Sequence, residues 1–246
     1  MKCLTWNLEW ASLSCKRARP IVERINQVDP DIACYTEIVR NFIPKGDFIE
    51  SETDYGYSNT EKKRKVVLWS KSSWTDVDSF GDPELPSGRI VSGITQNIRF
   101  IGICIPWKDA HVRTGRKDRN TWEDHLSFCA GLGRIITRYS NDNIPVCILG
   151  DYNQRIPRTF QPESVANALL NSIPEKFNIA TEGIKDSDGK DLIDHIAVSP
   201  SLDAVIAQII PHTTSEGFRL SDHVGVVSEI KNNKANQSLH IYGDNA

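Results

Sequence analysis

The stretch Cys147–Gln154, CILGDYNQ, runs apolar until Gly150 and then delivers an acid, Asp151, and an amide, Asn153. The apolar half suits the interior of a β-sheet. An acid and an amide two residues apart at the end of a buried strand need a reason. If strand geometry continues through 153, the period of two sends both side chains out of the same face.

Working outward, similar polar residues stand at the ends of other strand-like segments. Residues 2–10 alternate: Leu4, Trp6, Leu8 and Trp10 point one way and Cys3, Thr5, Asn7 and Glu9 the other. Ile32–Tyr35 reads as a short buried strand that ends at Glu37. Asp194-His195 precede a strand at 196–198, and Asp222-His223 precede one at 224–230. In antiparallel neighbours, the end of one strand lies beside the start of the next. Asn7, Glu37, Asp151, Asn153, Asp194, Asp222 and His223 are therefore expected to share one cleft. So many carboxylates do not all stay ionised together without a cation. Oxygen donors without a thiolate set favour a hard ion, Mg²⁺ or Mn²⁺.

Each residue also has a plain reading. Asn7 suits a strand-end turn, Glu37 an exposed acid at a strand exit, and Gly150-Asp151 a simple turn. Ser221-Asp222 suits a helix cap, with His223 a half-buried, hydrogen-bonded histidine. Asp194-His195 suits a local side-chain hydrogen bond. Their joint occurrence at matching strand ends weighs against these readings.

Other elements fill in around this frame. A helix is expected over 17–28, with Pro20 in its first turn and Ile21, Val22, Ile25 and Val28 as its apolar stripe. Asp29-Pro30 stops it. Residues 66–70 read as a strand, 81–88 as a loop, and 89–95 with 98–105 as a hairpin turning at Gln96-Asn97. Thr121-x-x-Asp124 has the form of a capping box opening a helix that carries Trp122, Leu126, Leu132, Ile135 and Ile136. A further helix is expected near 163–172.

The chain has 246 residues, a formal charge of −3, 39% hydrophobic and 25% charged residues. That implies a folded protein and leaves a polyanion partner to local charge. Six cysteines include no C-x-x-C pair, which removes zinc-finger spacing and suggests free thiols. No leader pattern opens the sequence, and no apolar run approaches the roughly 18–20 residues of a membrane span. A cytoplasmic protein without a membrane or obligate protein partner is expected. Residues 1–231 read as one domain and 232–246 as a polar tail.

Taken in order, TWNLE (5–9), P-D-I-x-x-x-x-E (30–37), GDYN (150–153), IDHI (193–196) and SDH (221–223) resemble the motifs of the endonuclease/exonuclease/phosphatase superfamily. The resemblance implies an α+β four-layer sandwich, two mixed β-sheets face to face with helices outside and the site at one edge. It implies a metal-dependent phosphoric ester hydrolase. Glu37, Asn7 and Asp222 would serve the metal, with Asn7 alternatively positioning Asp151. Asp151 would activate the attacking water and Asn153 bind phosphoryl oxygens. His223, oriented by Asp194, would contact the scissile phosphate or move a proton.

The resembling exonuclease III-type enzymes place a Tyr-x-Pro at the end of the central hairpin, where this chain has Cys104-Ile105-Pro106; DNase I-like and phosphatase members place a His nearby, and the nearest here is His111. The segment that follows mixes Trp107 and His111 with Arg113, Arg116, Lys117 and Arg119. With Arg155 it would suit stacking on bases and phosphate contact, or simply a solvated loop. The basic run 61–65 reads more simply as a hairpin turn. The leading expectation is a nuclease acting on DNA or RNA, DNA favoured. The alternatives are a phosphatase or phosphodiesterase on a small phosphorylated molecule, and a silent binding module.

Overall fold

The structure is a computed structural model that describes residues 1–58, 60–140 and 142–233. In chain order its elements are β1 (Lys2–Asn7), α1 (Ala18–Val28), β2 (Ile32–Val39), β3 (Asp47–Glu50), β4 (Lys63–Ser70), β5 (Thr75–Asp78), β6 (Ile90–Thr95) and β7 (Ile98–Cys104). Then follow α2 (Glu123–Tyr139), β8 (Val146–Asp151), α3 (Glu163–Ser172), β9 (Asn178–Ile179), β10 (Asp194–Val198), β11 (Leu202–Ile210) and β12 (Gly225–Asn232). Beyond residue 233, the expected tail lies outside the described residues.

The strands form two six-stranded sheets, ordered β11-β12-β1-β2-β4-β3 and β5-β6-β7-β8-β10-β9. Both are mixed: β1 runs parallel to β2 and β7 parallel to β8, while the other pairs are antiparallel. Cys34, Val66, Leu68 and Val226 of the first sheet meet Val91, Phe100, Leu149 and Ile196 of the second in a shared core. On the outer face of the first sheet, α1 packs Ile21, Ile25 and Val28 against Leu4, Trp6, Tyr35 and Trp69. On the outer face of the second, α2 and α3 pack Phe128, Leu132, Ile136 and Leu169 against Ile101, Ile103 and Ile148. This is the α+β four-layer sandwich, and it makes both faces of β1 and β8 interior. The alternation read in 2–10 therefore separates two cores rather than core from water.

Several local expectations need correction. Val22 and Leu126 lie on the solvent edge of their helices, 36% and 39% exposed. Thr121 does not cap α2. Trp122 occupies the N-cap in a left-handed conformation (φ 71°), the Thr121 hydroxyl donates to Asp109, and Asp124 is taken by Arg119. Glu123 instead reaches back to the Asn120 backbone N–H at 2.8 Å. The basic run 61–65 is not all turn, since Lys63, Arg64 and Lys65 open β4. The hairpin turn at Gln96-Asn97 has φ of 51° and 61°, positive at both central residues as its two-residue loop requires. All six cysteines are free thiols. Among the described residues, no helix is long and apolar enough to cross a membrane.

Candidate active site

Topology builds one rim. β1, β2 and β8 bring their C-terminal ends there, while β10 starts there and the loop before β12 arrives there. Asp151 closes β8. The residue before it faces Ile103 across the parallel pair and has φ 144°. A Cβ at Gly150 would fall 2.0 Å from the Ile103 carbonyl oxygen, so only glycine lets β8 approach β7 and carry Asp151 into the rim.

Asp151 is buried and gathers three donors. Asn7 Nδ2 donates to Oδ2 at 3.0 Å, Asn153 Nδ2 donates to Oδ2 at 3.1 Å, and the Asn153 backbone N–H donates to Oδ1 at 2.9 Å. The strand does not run through 153. Asn153 sits at φ 51°, so a turn, not the pleat, returns its amide to Asp151 and to the Ile105 carbonyl at 2.8 Å. Asn7 Oδ1 accepts from the Glu9 backbone N–H at 2.9 Å.

Across the rim, His223 Nδ1–H donates to Asp194 Oδ2 at 2.6 Å. The loop holding His223 is clamped to β1: the Ser221 hydroxyl donates to the Asn7 carbonyl at 2.6 Å, and Trp6 Nε1–H donates to the His223 carbonyl at 3.2 Å. Burial works against charge on His223, but Asp194, Asp151 and Asp222 outweigh it and raise its pKa to about 10, so it is an imidazolium. Burial pushes the Asp151 carboxyl up to about 7; His223 opposes this, and Asp194 and Glu37 add to it. Burial also raises Asp194, with His223 opposing.

Of the remaining expected residues, Glu37 and Asp222 also border the rim, and the others lie farther out. Glu37, at φ 50° in β2, gives its Oε1 to Lys65 Nζ at 2.5 Å. Asp222 stands at the mouth, half exposed, with Oδ1 3.9 Å from His223 Nε2. Trp107, 43% exposed, and Arg155 line a cleft of about 440 Å³ beside Asn153, together with Trp122 and Phe160. His111, Arg116 and Arg119, expected against substrate, are engaged elsewhere. His111 is buried; its Nε2–H donates to the Tyr55 carbonyl at 3.1 Å, and its Nδ1 accepts the Arg116 backbone N–H at 3.2 Å. Arg119 Nε pairs with Asp124 at 2.7 Å, and Arg116 lies 3.7 Å from the same carboxylate. These three hold the 107–120 loop against its neighbours. Phe160 and Tyr55 carry no signal in the sequence, and Trp122, Trp10 and Lys65 read there only as helix, strand and turn residues; their neighbours in space bring them to the site.

The donor set suits a hard divalent ion. One ligating atom each of Asp151, Asp194 and His223 lies within 4.8 Å of the others. As an imidazolium, His223 serves as a donor rather than a ligand, which leaves oxygens. The buried Asp194 Oδ1 has no hydrogen-bond partner, and burial, with Asp194 and Glu37 nearby, pushes the Asp151 carboxyl up to about 7. A cation at this rim relieves both. A second group, Asp186, Asp188 and His212, lies by a neighbouring recess, but Asp186 Oδ1 is already spent on the backbone N–H groups of Asp188 and Lys190.

The two-sheet fold is shared, at low sequence identity, with solved structures of phosphoric ester hydrolases. The sequence matches no protein-family model. It matches no curated protein. Among solved structures, a 3′-5′ exonuclease from Neisseria meningitidis superposes with a TM-score of 0.69 at 21% identity, covering 93% of this chain and 99% of that one. An AP endonuclease from Archaeoglobus fulgidus gives 0.67 at 17% identity over 93% and 98%. A mannosyl-6-phosphatase from Bacteroides thetaiotaomicron gives 0.64 at 16% identity over 94% and 99%.

Proposed function

We propose that the chain is a metal-dependent phosphodiesterase, a nuclease that hydrolyses phosphodiester bonds in DNA by water attack. The observation that carries this reading is Asp151, oriented by two amides and set beside the Asp194–His223 pair. A carboxyl poised near 7 is suited to taking a proton from water at neutral pH. The amides of Asn7 and Asn153 fix its orientation, so its basic oxygen meets the water without reorganisation. His223 presents Nε2–H toward the mouth, where it can donate to a phosphoryl oxygen as charge develops. Asp194 on Nδ1 fixes that orientation and keeps the ring charged. Asn7, Glu37 and Asp222 would hold Mg²⁺ or Mn²⁺, which when bound would add Lewis-acid stabilisation of the phosphoryl group.

The choice of DNA rests on the cleft beside Asn153. Trp107, Trp122 and the largely exposed Phe160 offer ring faces, and Arg155 lies 5.4 Å from the Phe160 centroid. Ring faces with a cation suit an unstacked base flanking a phosphate. One further observation favours a small phosphorylated substrate. A recess of about 130 Å³ joins His223 to Arg155, Lys190 and His212, enough room for a lone phosphate group. Free thiols, five of them buried, suit the cytoplasm. The test is a substrate panel with Mg²⁺ or Mn²⁺: single- and double-stranded DNA, abasic DNA, RNA, inositol and sugar phosphates. Turnover of DNA above all others supports the nuclease. Turnover of small phosphates alone overturns it.

A further inference from the structure

Glu37, the acid assigned to the metal, comes with a cation already attached. The β2–β4 register passes from Thr36–Val66 to Ile38–Arg64, so Lys65 is the cross-strand neighbour of Glu37. Its side chain is only 10% exposed, and its ammonium reaches Glu37 Oε1 at 2.5 Å. The same ammonium lies 5.0 Å from the Trp10 ring centroid and 5.4 Å from that of Tyr55. These two rings stack on each other at 5.8 Å and 15°. Trp10 is itself fixed to Glu37, because its backbone N–H donates to the Glu37 carbonyl at 2.7 Å. The cage, the lysine and the acid are therefore one unit, tied together by backbone and side chain. Ring faces favour a cation, and low exposure strengthens the attraction.

Charge explains what this unit is for. Glu37, Asp151, Asp194 and Asp222 bring four carboxylates to the rim. Lys65 brings a fixed positive charge onto the acid assigned to the metal, so a divalent ion held by Glu37 meets a like charge beside it. A lysine without Glu37 would repel the metal, and Glu37 without the lysine would be drawn wholly to it.

We propose that Lys65 is a resident counter-ion of the metal site. It is a positioning residue that holds Glu37 and weakens the rim's grip on a divalent ion. The inference rests on the metal-dependent reading above, and it concerns binding rather than turnover. Mn²⁺ binding to the full chain, measured by titration calorimetry and electron paramagnetic resonance, tests it in the wild type, Lys65→Met and Lys65→Arg.

The wild type is expected to bind Mn²⁺. Lys65→Met should bind it about tenfold more tightly, because a like charge a few ångströms away is gone. Lys65→Arg keeps the charge and should stay within about threefold of the wild type. Melting temperature gives a second readout: Mn²⁺ should raise that of Lys65→Met by more than that of the wild type. If Lys65→Met does not fold, Trp10→Leu, which loosens the cage, should tighten Mn²⁺ in the same direction. A cooperatively melting Lys65→Met with unchanged or weaker Mn²⁺ affinity overturns the inference. That result, with DNA still cleaved in Mg²⁺, leaves the nuclease standing. A wild type that binds no Mn²⁺ overturns both.

Discussion

Two polar networks lie back to back at the end of β8, and they handle charge in opposite ways. The first gathers on Asp151 with Asn7, Asn153, Asp194 and His223. The second gathers on Gln154, three residues later. Gln154 Nε2 donates to His125 Nε2 at 2.6 Å, and the Gln154 backbone carbonyl accepts from His195 Nε2 at 2.9 Å. The Thr181 hydroxyl completes this set by donating to His195 Nδ1 at 2.8 Å. His223 faces carboxylates and is raised to about 10; burial lowers His125 and His195 to about 4. Asp194 and His195 are adjacent in the chain, yet the pleat of β10 sends them to different networks. Burial alone does not decide a histidine's charge. The partner that the strand aims it at does.

Substitutions that remove one network and spare the other break the comparison most sharply. Asp151→Asn should lower kcat by about a thousandfold or more, since no base remains to take the proton. The same change should leave the melting temperature equal or higher above pH 7, where the buried carboxylate otherwise carries an unfavourable charge. Asp194→Asn should lower kcat by roughly a hundred- to ten-thousandfold. NMR titration should then find His223 several units lower, near an ordinary histidine.

The second network answers to pH. The folded pKa of His125 and of His195 lies below the unfolded value of about 6.5. Stability is therefore full above pH 6.5 and falls as pH drops toward 4, where the unfolded chain takes protons that the folded chain refuses. The loss is on the order of 3 kcal/mol per histidine, read from urea melts across that window. His223 runs the other way: its contribution is full below pH 6.5 and fades as pH rises through about 10. Gln154→Ala should cost roughly 2 kcal/mol by leaving buried partners unpaired, with a far smaller loss of kcat than Asp151→Asn. The smallest effect is expected at Trp107→Ala, about a fivefold rise in KM for DNA and none for a small phosphodiester.

Much of the first network was legible in the sequence because it sits at the ends of apolar runs, where an acid or amide stands out. Asn7, Asp151, Asp194 and His223 were found that way, and the topology carried them to one rim. The second network was not legible. Gln154 and His125 look like ordinary surface residues until α2 closes over them. Lys65 was hidden for another reason: its run of basic neighbours suggested a turn, and only the β2–β4 register pairs it with Glu37. Edge strands were missed where burial is slight. β5 (TDVD) has three exposed residues and one partly exposed. In β11 a register shift between Ile206 and Gln208 breaks the alternation.

The most direct test is cleavage of labelled DNA by the wild type and by Asp151→Asn, each with Mg²⁺ and with excess chelator. Cleavage by the wild type in Mg²⁺ alone, with folded Asp151→Asn inert, is the predicted result. Cleavage that survives either the chelator or the loss of Asp151 would contradict the account.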